Sequence, residues 1–321
     1  MSRVYLTRPL PDAVLERARE LFDEVEVREE TAPLKIGQMR AALNLYDGVL
    51  PTLGDMFSAE VFDEAQNPRC KVLANFGVGY NHIDVDAATA AGVMVTNTPG
   101  AVTDATADIA MTLILMSARR AGEGERMVRA GEWSGWHPTQ MLGLHATGKT
   151  VGIIGMGRIG QAIARRCHFG FGMDVVYFNR SAKEFDFPAT RTASMAELAA
   201  RADIVVVAVP GGAETHHLIG APVFEAMKPT GHFINIARGD VVEETALIKA
   251  LESGQIAAAG LDVYEHEPQV PEALISMENV TLLPHLGTAA LEVREAMGFL
   301  AVENLRAALA GEAPPNLIEP E

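Results

Sequence analysis

The chain has 321 residues, of which 48% are hydrophobic and 21% are charged. This length allows two domains of about 100 to 200 residues, and the composition is typical of a compact globular protein without disordered tails. The formal net charge of −16 argues against nucleic acid or an anionic membrane as a partner, because both bind basic surfaces.

The cysteines and the first residues bear on the cellular compartment. Cys70 and Cys167 are the two cysteines of the sequence and do not form a Cys-x-x-Cys pair, so we expect reduced structural thiols and predict no metal site. The N-terminus runs directly into a strand-like Val4-Tyr5-Leu6, which argues against a signal peptide. The apolar run 109–116 is too short to cross a bilayer. We therefore expect a cytoplasmic protein.

The N-terminal third alternates strand and helix patterns. The predicted strands cover residues 4–7, 25–27, 48–50, 72–75 and 93–96, and the predicted helices cover 12–21, 38–43, 59–65 and 86–91. Such alternation predicts a parallel sheet with helices on both faces. A long helix follows, capped by Thr103 or Asp104. Because its stretch 109–116 is apolar on most faces, we expect it to be buried between domains or subunits.

A second series of strands and helices begins at Thr150. Its further strands are predicted at residues 174–178, 204–209, 233–236, 258–263 and 280–283. The run 204–209 is apolar without alternation, which is typical of a central strand covered on both faces. The last helix aligns five apolar residues on one stripe, namely Val293, Met297, Leu300, Leu305 and Ala308.

This last helix has no strand after it, so we expect it to pack back on the first domain. The chain is then predicted to form a discontinuous domain of residues 1–100 and 288–321, with a second domain of residues 101–287 inserted into it. We expect a cleft between the two domains.

A Gly-x-Gly-x-x-Gly motif at Gly155, Gly157 and Gly160 stands between a predicted strand and a predicted helix. In this context the first glycine makes a tight turn, the second lets a pyrophosphate approach the backbone, and the third lets the helix pack closely on its strand. The free N–H groups of the helix N-terminus then bind the phosphates. The alternative is a flexible glycine turn. The flanking elements favour a dinucleotide-binding domain of the Rossmann type.

The end of the next strand, Asn179-Arg180-Ser181, predicts which dinucleotide is bound. Sites that prefer NAD usually carry an Asp or Glu there, which binds the ribose hydroxyls. Here Asn179 is neutral, Arg180 supplies a positive charge and Ser181 a hydroxyl donor, so we predict a preference for NADPH with NADH as a possible cofactor. The alternative is an ordinary polar turn, with Arg180 in solvent and dual specificity.

Further motifs occur in a fixed order along the chain, at residues 77–84 (GVGYNHID), 97–100 (NTPG), 235–239 (NIARG), 262–268 (DVYEHEP) and 284–287 (PHLG). With these and the glycine motif, the sequence resembles the D-isomer-specific 2-hydroxyacid dehydrogenases over nearly its whole length. Residues 135–138 (GWHP) and 141–143 (MLG) are most similar to the glyoxylate and hydroxypyruvate reductases of that family.

The resemblance implies a flavodoxin-like α/β substrate domain, a Rossmann-type doubly wound cofactor domain and a homodimer. It implies catalytic roles for Arg238, Glu267 and His285, and binding of the substrate carboxylate by the amides of Val78 and Gly79. A simple turn is the alternative at Val78 and Gly79. Besides the three glycines and residues 179–181, we expect cofactor contacts at Met156, Arg158, Ile159, Val209, Pro210, Thr215, Ile236, Ala237, Asp262 and Gly287.

The same three catalytic residues suit the reduction of a 2-keto acid, which requires a proton donor for the carbonyl oxygen and a cation for the carboxylate. His285 and Arg238 each follow a predicted strand, at the edge where α/β sheets place their sites. A guanidinium grips a carboxylate with two parallel hydrogen bonds. Glu267 would orient His285 and favour its charged form.

Each of these roles has an alternative. His285 could be a structural loop histidine, Arg238 could form a surface salt bridge, and Glu265 competes with Glu267, although we expect Glu265 to be solvated. We interpret His82, His168 and His232 as structural histidines, and the pair His216-His217 as solvated loop residues without metal-ligand spacing.

The sequence is compatible with three functions. The first is reduction of a small 2-keto acid, glyoxylate or hydroxypyruvate, to the D-2-hydroxy acid. The second is a dehydrogenase of phosphoglycerate or of a bulkier acid, against which the chain offers no room for a regulatory domain after its last helix. The third is a non-catalytic NAD(P)-sensing protein, against which the presence of Arg238, Glu267 and His285 argues.

Overall fold

The computed structural model describes residues 2–63 and 67–320. The chain divides into two compact units: unit 1 runs to Val102 and resumes at Ala289, and unit 2 is Thr103–Thr288. Within the described residues, no helix is long and apolar enough to span a membrane.

The strands are β1 (Arg3–Leu6), β2 (Glu24–Val27), β3 (Gly48–Leu50), β4 (Val72–Ala74), β5 (Met94–Thr96), β6 (Thr150–Ile154), β7 (Asp174–Phe178), β8 (Thr190–Arg191), β9 (Ile204–Val207), β10 (His232–Asn235), β11 (Ala258–Leu261) and β12 (Val280–Leu282). The helices are α1 (Asp12–Leu21), α2 (Ile36–Leu45), α3 (Ala59–Asp63), α4 (Val85–Ala90), α5 (Thr103–Arg119), α6 (Ala121–Arg129), α7 (Arg158–Arg165), α8 (Met195–Arg201), α9 (Ala221–Ala226), α10 (Glu244–Glu252), α11 (Glu272–Ser276) and α12 (Leu291–Leu309). A π-helical turn, Arg166–Gly170, continues α7, and short 3₁₀ helices span Ala213–Thr215 and Gly239–Val241.

The predicted strands all exist, and their bounds differ from the observed ones by at most two residues. The end of the predicted helix 59–65 lies outside the described residues. Strand β8 was missed by the sequence analysis because its two residues are exposed and belong to no apolar run.

Unit 1 is a parallel sheet in the order β2-β1-β3-β4-β5, which is the flavodoxin-like order. Its strand residues alternate between two cores. Val49 and Leu73 point to the core that α2, α3 and α4 cover, and Leu50 and Val72 point to the core that α1 and α12 cover. The predicted flavodoxin-like fold is confirmed.

Helix α12 packs on the sheet of unit 1, as its apolar stripe predicted, but with a shifted face. Its most deeply buried side chains are Ala301, Val302, Asn304 and Leu305, whereas Val293 and Leu300 are only partly buried. Small residues lie at this contact because α12 crosses α1 closely: a Cβ at Gly298 would lie 2.5 Å from a methyl group of Val14.

Unit 2 is a parallel sheet in the order β12-β11-β10-β9-β6-β7-β8. Numbered within the unit, this is the Rossmann order 3-2-1-4-5-6 with a further strand at the far edge. In β9, Val205 and Val207 enter one core while Ile204 and Val206 enter the other. The predicted central strand with two covered faces is therefore confirmed.

Helix α5 is buried, but not where we expected it. Its residues Ala107, Leu113 and Ile114 share a core with Ile153 of β6 and Val206 of β9, so α5 covers the sheet of its own unit. Thr112 lies on an exposed face of the helix. The run 109–116 looked apolar on most sides because a helix lying across a sheet buries a broad stripe.

The contact of α12 with α1 gives a prediction about stability. We expect Gly298→Ala to lower the midpoint of thermal unfolding, because Val14 is β-branched and presents both of its methyl groups to the new Cβ, and overpacking typically costs about 1 to 3 kcal/mol. Gly37→Ala is the matched control, since Gly37 lies in α2 with nothing within 4 Å of an added Cβ. It should raise the midpoint, because alanine is favoured over glycine in a helix by about 0.5 to 1 kcal/mol. Equal shifts of the same sign in calorimetry would contradict this packing.

Candidate active site

The predicted site residues of unit 2 follow the carboxyl ends of its strands. The glycine motif follows β6, Asn179 follows β7, Val209 follows β9, Arg238 follows β10 and Asp262 follows β11. All the strands of this sheet are parallel, so these residues share one edge. The strand order reverses between β6 and β9, and open α/β sheets bind ligands at that point.

The glycine loop has the geometry of a pyrophosphate cradle. Gly155 has a φ of +98°, and an added Cβ there would lie 2.7 Å from the Ala208 backbone. A Cβ at Gly160 would lie 2.1 Å from the carbonyl oxygen of Gly155, whereas one at Gly157 would meet nothing within 4 Å. Gly160 therefore permits close packing, and Gly157 leaves open space before α7. No hydrogen bond among the described residues uses the N–H groups of Arg158 or Ile159, so these donors suit a phosphate.

The end of β7 is tied to this loop. The side-chain oxygen of Asn179 accepts from the N–H of Met156 at 3.2 Å, and its amide group donates to the carbonyl of Ser181 at 3.0 Å. Arg180 is exposed and pairs with Glu214 at 2.9 Å. Arg191 of β8 donates to the carbonyls of Asn179 and Arg180 at 2.9 and 3.0 Å. The sequence analysis missed this second guanidinium, because no motif marks a two-residue edge strand.

Two more strand ends contribute short loops. After β9, the Thr215 hydroxyl donates to the carbonyl of Pro210 at 2.7 Å, which folds the 3₁₀ turn back on Val209 and Pro210. After β10, the side-chain oxygen of Asn235 accepts from the N–H of Ala237 at 3.0 Å. The loop that begins with Ile236 and Ala237 is thus held by the last residue of its own strand.

Arg238 lies in that loop, in contact with the loop that follows β11. A Cβ at Gly239 would lie 1.8 Å from the Tyr264 backbone, so only glycine permits this approach. One Nη of Arg238 donates to the Ala237 carbonyl at 2.7 Å, whereas its Nε is buried without a hydrogen-bond partner among the described residues. Burial lowers the pKa of Arg238, and the charges of Glu267 and Asp240 partly offset this effect. The guanidinium therefore has an unused donor that a carboxylate could satisfy.

His285 adopts a left-handed backbone conformation, with a φ of +54°. Its N–H donates to the carbonyl of Asp262 at 3.0 Å. The two carboxylate oxygens of Asp262 accept from the N–H groups of Leu286 at 2.6 Å and Gly287 at 2.8 Å. Asp262 is buried, which raises the pKa of its carboxyl group against the effect of these amides. This carboxylate thus fixes the backbone on the C-terminal side of His285.

Glu267 is hydrogen-bonded to His285: its Oε2 lies 2.8 Å from His285 Nδ1, and its Oε1 accepts from the N–H of Tyr264 at 3.0 Å. Burial raises the pKa of Glu267, but His285, the Tyr264 amide and the charge of Arg238 together bring that pKa below its usual value. A carboxylate bound to Nδ1 leaves Nε2 of the ring as the exchangeable position, and no hydrogen bond among the described residues uses Nε2. The pair can donate and accept a proton.

Glu265, the competing carboxylate, faces another partner. Its Oε1 lies 2.7 Å from Nε2 of His217, and its side chain is only 16% exposed. The expectation that Glu265 is solvated is therefore wrong, whereas His216 and His217 are exposed, as expected. Glu265 and His217 lie 48 residues apart in the sequence, so no local pattern links them.

The histidines interpreted as structural have internal partners. His82 bonds to Asn75 at 3.0 Å, His168 to the Met173 carbonyl at 3.1 Å, and His232 to Ser117 at 2.8 Å. Burial lowers the pKa of His232 to about 4. These histidines support the fold.

Val78 and Gly79 lie in unit 1, in a turn after β4. The amide group of Asn75 donates to the carbonyls of Gly77 and Gly79, at 3.1 and 3.0 Å, and Asn97 donates to the Val78 carbonyl at 2.9 Å. No hydrogen bond in the described part of the chain uses the N–H groups of Val78 and Gly79. The carbonyls are thus occupied and the two amides are available to an anion.

These observations define an oxidoreductase-type α/β architecture with a dinucleotide-binding unit, a histidine–carboxylate pair and an arginine suited to a carboxylate. The family model "D-isomer specific 2-hydroxyacid dehydrogenase, NAD binding domain" matches residues 111–287. The chain belongs to this family, and it is an oxidoreductase that uses a nicotinamide cofactor.

Individual relatives cover almost the whole chain. A glyoxylate reductase from Thermococcus gammatolerans is 45% identical, and one from Pyrococcus furiosus is 44% identical; each alignment covers 99% of this chain and 96% of the relative. An NADPH-dependent glyoxylate/hydroxypyruvate reductase from Sinorhizobium meliloti, solved with NADP and malonate, has a TM-score of 0.87 and 37% identity, over 99% of this chain and 96% of that one.

Proposed function

We propose that this protein reduces a small 2-keto acid, glyoxylate or hydroxypyruvate, to the D-2-hydroxy acid, with NADPH as the preferred cofactor. The observation that carries the proposal is the buried, unpaired Nε of Arg238 in a loop that contacts the one bearing Glu267, the partner of His285. Relatives named glyoxylate reductase, whose alignments cover 99% of this chain, support this substrate class.

Arg238 binds the substrate carboxylate in this proposal. Its Nε and one Nη form the planar fork that matches two carboxylate oxygens. A buried donor without a partner costs about 1 to 3 kcal/mol, and the bound carboxylate removes that cost. Glu267 and Asp240 are close enough to favour the charged guanidinium, so the arginine stays cationic at neutral pH.

His285 donates the proton that the carbonyl oxygen requires. Because Glu267 holds Nδ1, the proton leaves from Nε2, and the neutral ring is reprotonated from solvent after the alcohol has formed. The nicotinamide, when bound, supplies the hydride to the carbonyl carbon. Glu267 stabilises the imidazolium before the transfer, and Asp262 keeps His285 in position through the amides of Leu286 and Gly287.

The two side chains should fail in different ways when they are replaced. We expect His285→Asn to bind NADPH normally and to lose about 10² to 10⁴ in kcat, which is the usual contribution of general acid catalysis. Arg238→Lys should mainly raise the KM for the keto acid, because an ammonium group cannot make the planar two-bond contact. Steady-state kinetics with glyoxylate and hydroxypyruvate, together with NADPH fluorescence titration, separate the two effects.

Arg201→Lys is the matched control, since Arg201 is a half-exposed arginine of unit 2 paired with Glu197 on α8. It should leave both kinetic constants unchanged. A folded His285→Asn enzyme with near-native kcat would show that His285 is not the proton donor. An unchanged KM in Arg238→Lys would show that the substrate carboxylate binds elsewhere.

The preference for NADPH is proposed from the end of β7. The guanidinium of Arg191 donates to the carbonyls of Asn179 and Arg180, Arg180 adds a second positive charge next in sequence to Asn179, and the carboxylate that NAD-preferring sites use is absent from position 179. Glu214 competes for Arg180. An exposed ion pair contributes about 0 to 1 kcal/mol, whereas a hydrogen bond to a charged group contributes about 1.5 to 3 kcal/mol. A ribose 2′-phosphate therefore displaces Glu214.

We expect kcat/KM to be roughly tenfold or more higher with NADPH than with NADH, since about 1.4 kcal/mol corresponds to a factor of ten. The double variant Asn179→Asp with Arg180→Ala should erase or reverse this ratio. Glu214→Gln should increase it by freeing Arg180, while Glu225→Gln, at an exposed carboxylate on α9, should not. A native enzyme that uses NADH at least as well as NADPH would refute the proposed preference.

In unit 1, we propose that the free N–H groups of Val78 and Gly79 bind a carboxylate. Asn75 and Asn97 support this role by occupying the carbonyls of the same turn, so that the two amides are the groups left for a ligand.

We also propose a homodimer. Between α6 and β6 the chain exposes large apolar side chains: Trp133 is 54%, Trp136 80% and Leu142 68% exposed, and Val128 of α6 is 60% exposed. A second subunit would cover such exposed apolar side chains.

Sedimentation equilibrium should give twice the chain mass of 34.4 kDa, and Trp136→Asp should shift the equilibrium toward the monomer. A native protein with the mass of one chain would contradict this assignment.

A further inference from the structure

Three metal-ligating side chains that the proposed reaction does not use converge in unit 2. His216 and His217 follow the 3₁₀ turn after β9, and Glu265 lies in the loop after β11. One ligand atom of each residue lies within 4.8 Å of those of the other two. Nε2 of His217 and Oε1 of Glu265 are 2.7 Å apart, and the two imidazole rings are stacked with their centroids 4.0 Å apart.

The backbone holds two of these residues firmly. His217 has a φ of +50°, a conformation that costs a residue other than glycine about 1 to 3 kcal/mol and that often marks a functional position. Its N–H donates to the Asp240 carbonyl at 2.8 Å. On the other side, Glu265 and Glu244 exchange hydrogen bonds between backbone and carboxylate, each at 3.4 Å. His217 and Glu265 are therefore brought together by fixed loops.

Two imidazoles and one carboxylate form a ligand set that zinc uses in proteins, with the remaining position left to water. With bonds of about 2.0 to 2.2 Å, tetrahedral ligand atoms lie roughly 3.3 Å apart. Nε2 of His217 and Oε1 of Glu265 need to separate slightly to reach this spacing, and His216, which is exposed, can rotate inward. A site with two histidine ligands binds transition-metal ions in preference to Mg²⁺, because Mg²⁺ prefers oxygen ligands.

We propose that His216, His217 and Glu265 form a binding site for a divalent transition-metal ion of the Zn²⁺ type. The cluster shares no residue with the proposed catalytic pair, His285 and Glu267, which are hydrogen-bonded to each other. The buried thiols do not compete for the ion, because burial raises the pKa of Cys70 and of Cys167 to about 12.

Calorimetric titration of the full-length, tag-free, EDTA-treated protein with Zn²⁺ alone tests the proposal. We expect one ion per chain at this site and no comparable binding of Mg²⁺. His217→Asn and Glu265→Gln should each weaken binding by roughly tenfold or more, because the loss of a direct ligand costs at least as much as the 10- to 100-fold typical of an outer partner. His216→Asn removes an exposed ring and is the variant least able to disturb folding, and it should weaken binding as well.

Two controls locate the ion. His266→Asn removes an exposed histidine next to Glu265 that is not part of the cluster, and it should bind Zn²⁺ like the native protein. His285→Asn should also retain binding. The proposal is overturned if the native protein binds no Zn²⁺, if His216→Asn and His217→Asn both bind with native affinity, or if His285→Asn alone abolishes binding.

Discussion

The candidate site depends most on the hydrogen bonds that the buried residue Asp262 makes with the loop after β12. Asp262 lies directly after β11 and accepts from two successive amides of the loop after β12, while its own carbonyl accepts from His285. Removing a carboxylate from water costs several kcal/mol, and each hydrogen bond to the charged group returns about 1.5 to 3 kcal/mol. The left-handed backbone of His285 costs about 1 to 3 kcal/mol, and the hydrogen bonds of Asp262 to His285, Leu286 and Gly287 offset this strain.

A second constraint is the close approach of two loops at Gly239. With Gly239 against the Tyr264 backbone, Arg238 lies within electrostatic reach of Glu267, and the Tyr264 amide in turn holds Glu267. The loops after β10, β11 and β12 therefore support one another. Because neighbouring parallel strands end at the same edge, three sequence-distant residues with different chemistry reach one place without a long connecting segment.

The loop after β11 also links the proposed catalytic pair to the proposed metal site. Glu265 faces His217, and Glu267 faces His285. Two carboxylates that are two residues apart in the same loop thus have different partners, because the loop turns between them. The π-helical turn after α7 and the cavity of about 560 Å³ that His232 and Ser117 help to line have no role in the proposed reaction.

The sequence by itself predicted most strands of two parallel sheets and the glycine turn of the second, because strand and helix periodicity and glycine positions are local properties. Gly160 shows this most clearly, since the short distance from an added Cβ to the carbonyl oxygen of Gly155 follows from a turn between one strand and the next helix. The flavodoxin-like type of the first sheet followed from the family resemblance. The sequence also identified Arg238 and His285 as candidates, because each follows a strand at the carboxyl edge of the predicted sheet. The tertiary structure alone decided that α5 covers its own sheet, that Asp262 binds residues 24 and 25 positions away, that Arg191 reaches the end of β7, and that Glu265 pairs with His217 across 48 positions. Such contacts depend on the paths of loops between strands, and no periodicity in the sequence encodes those paths.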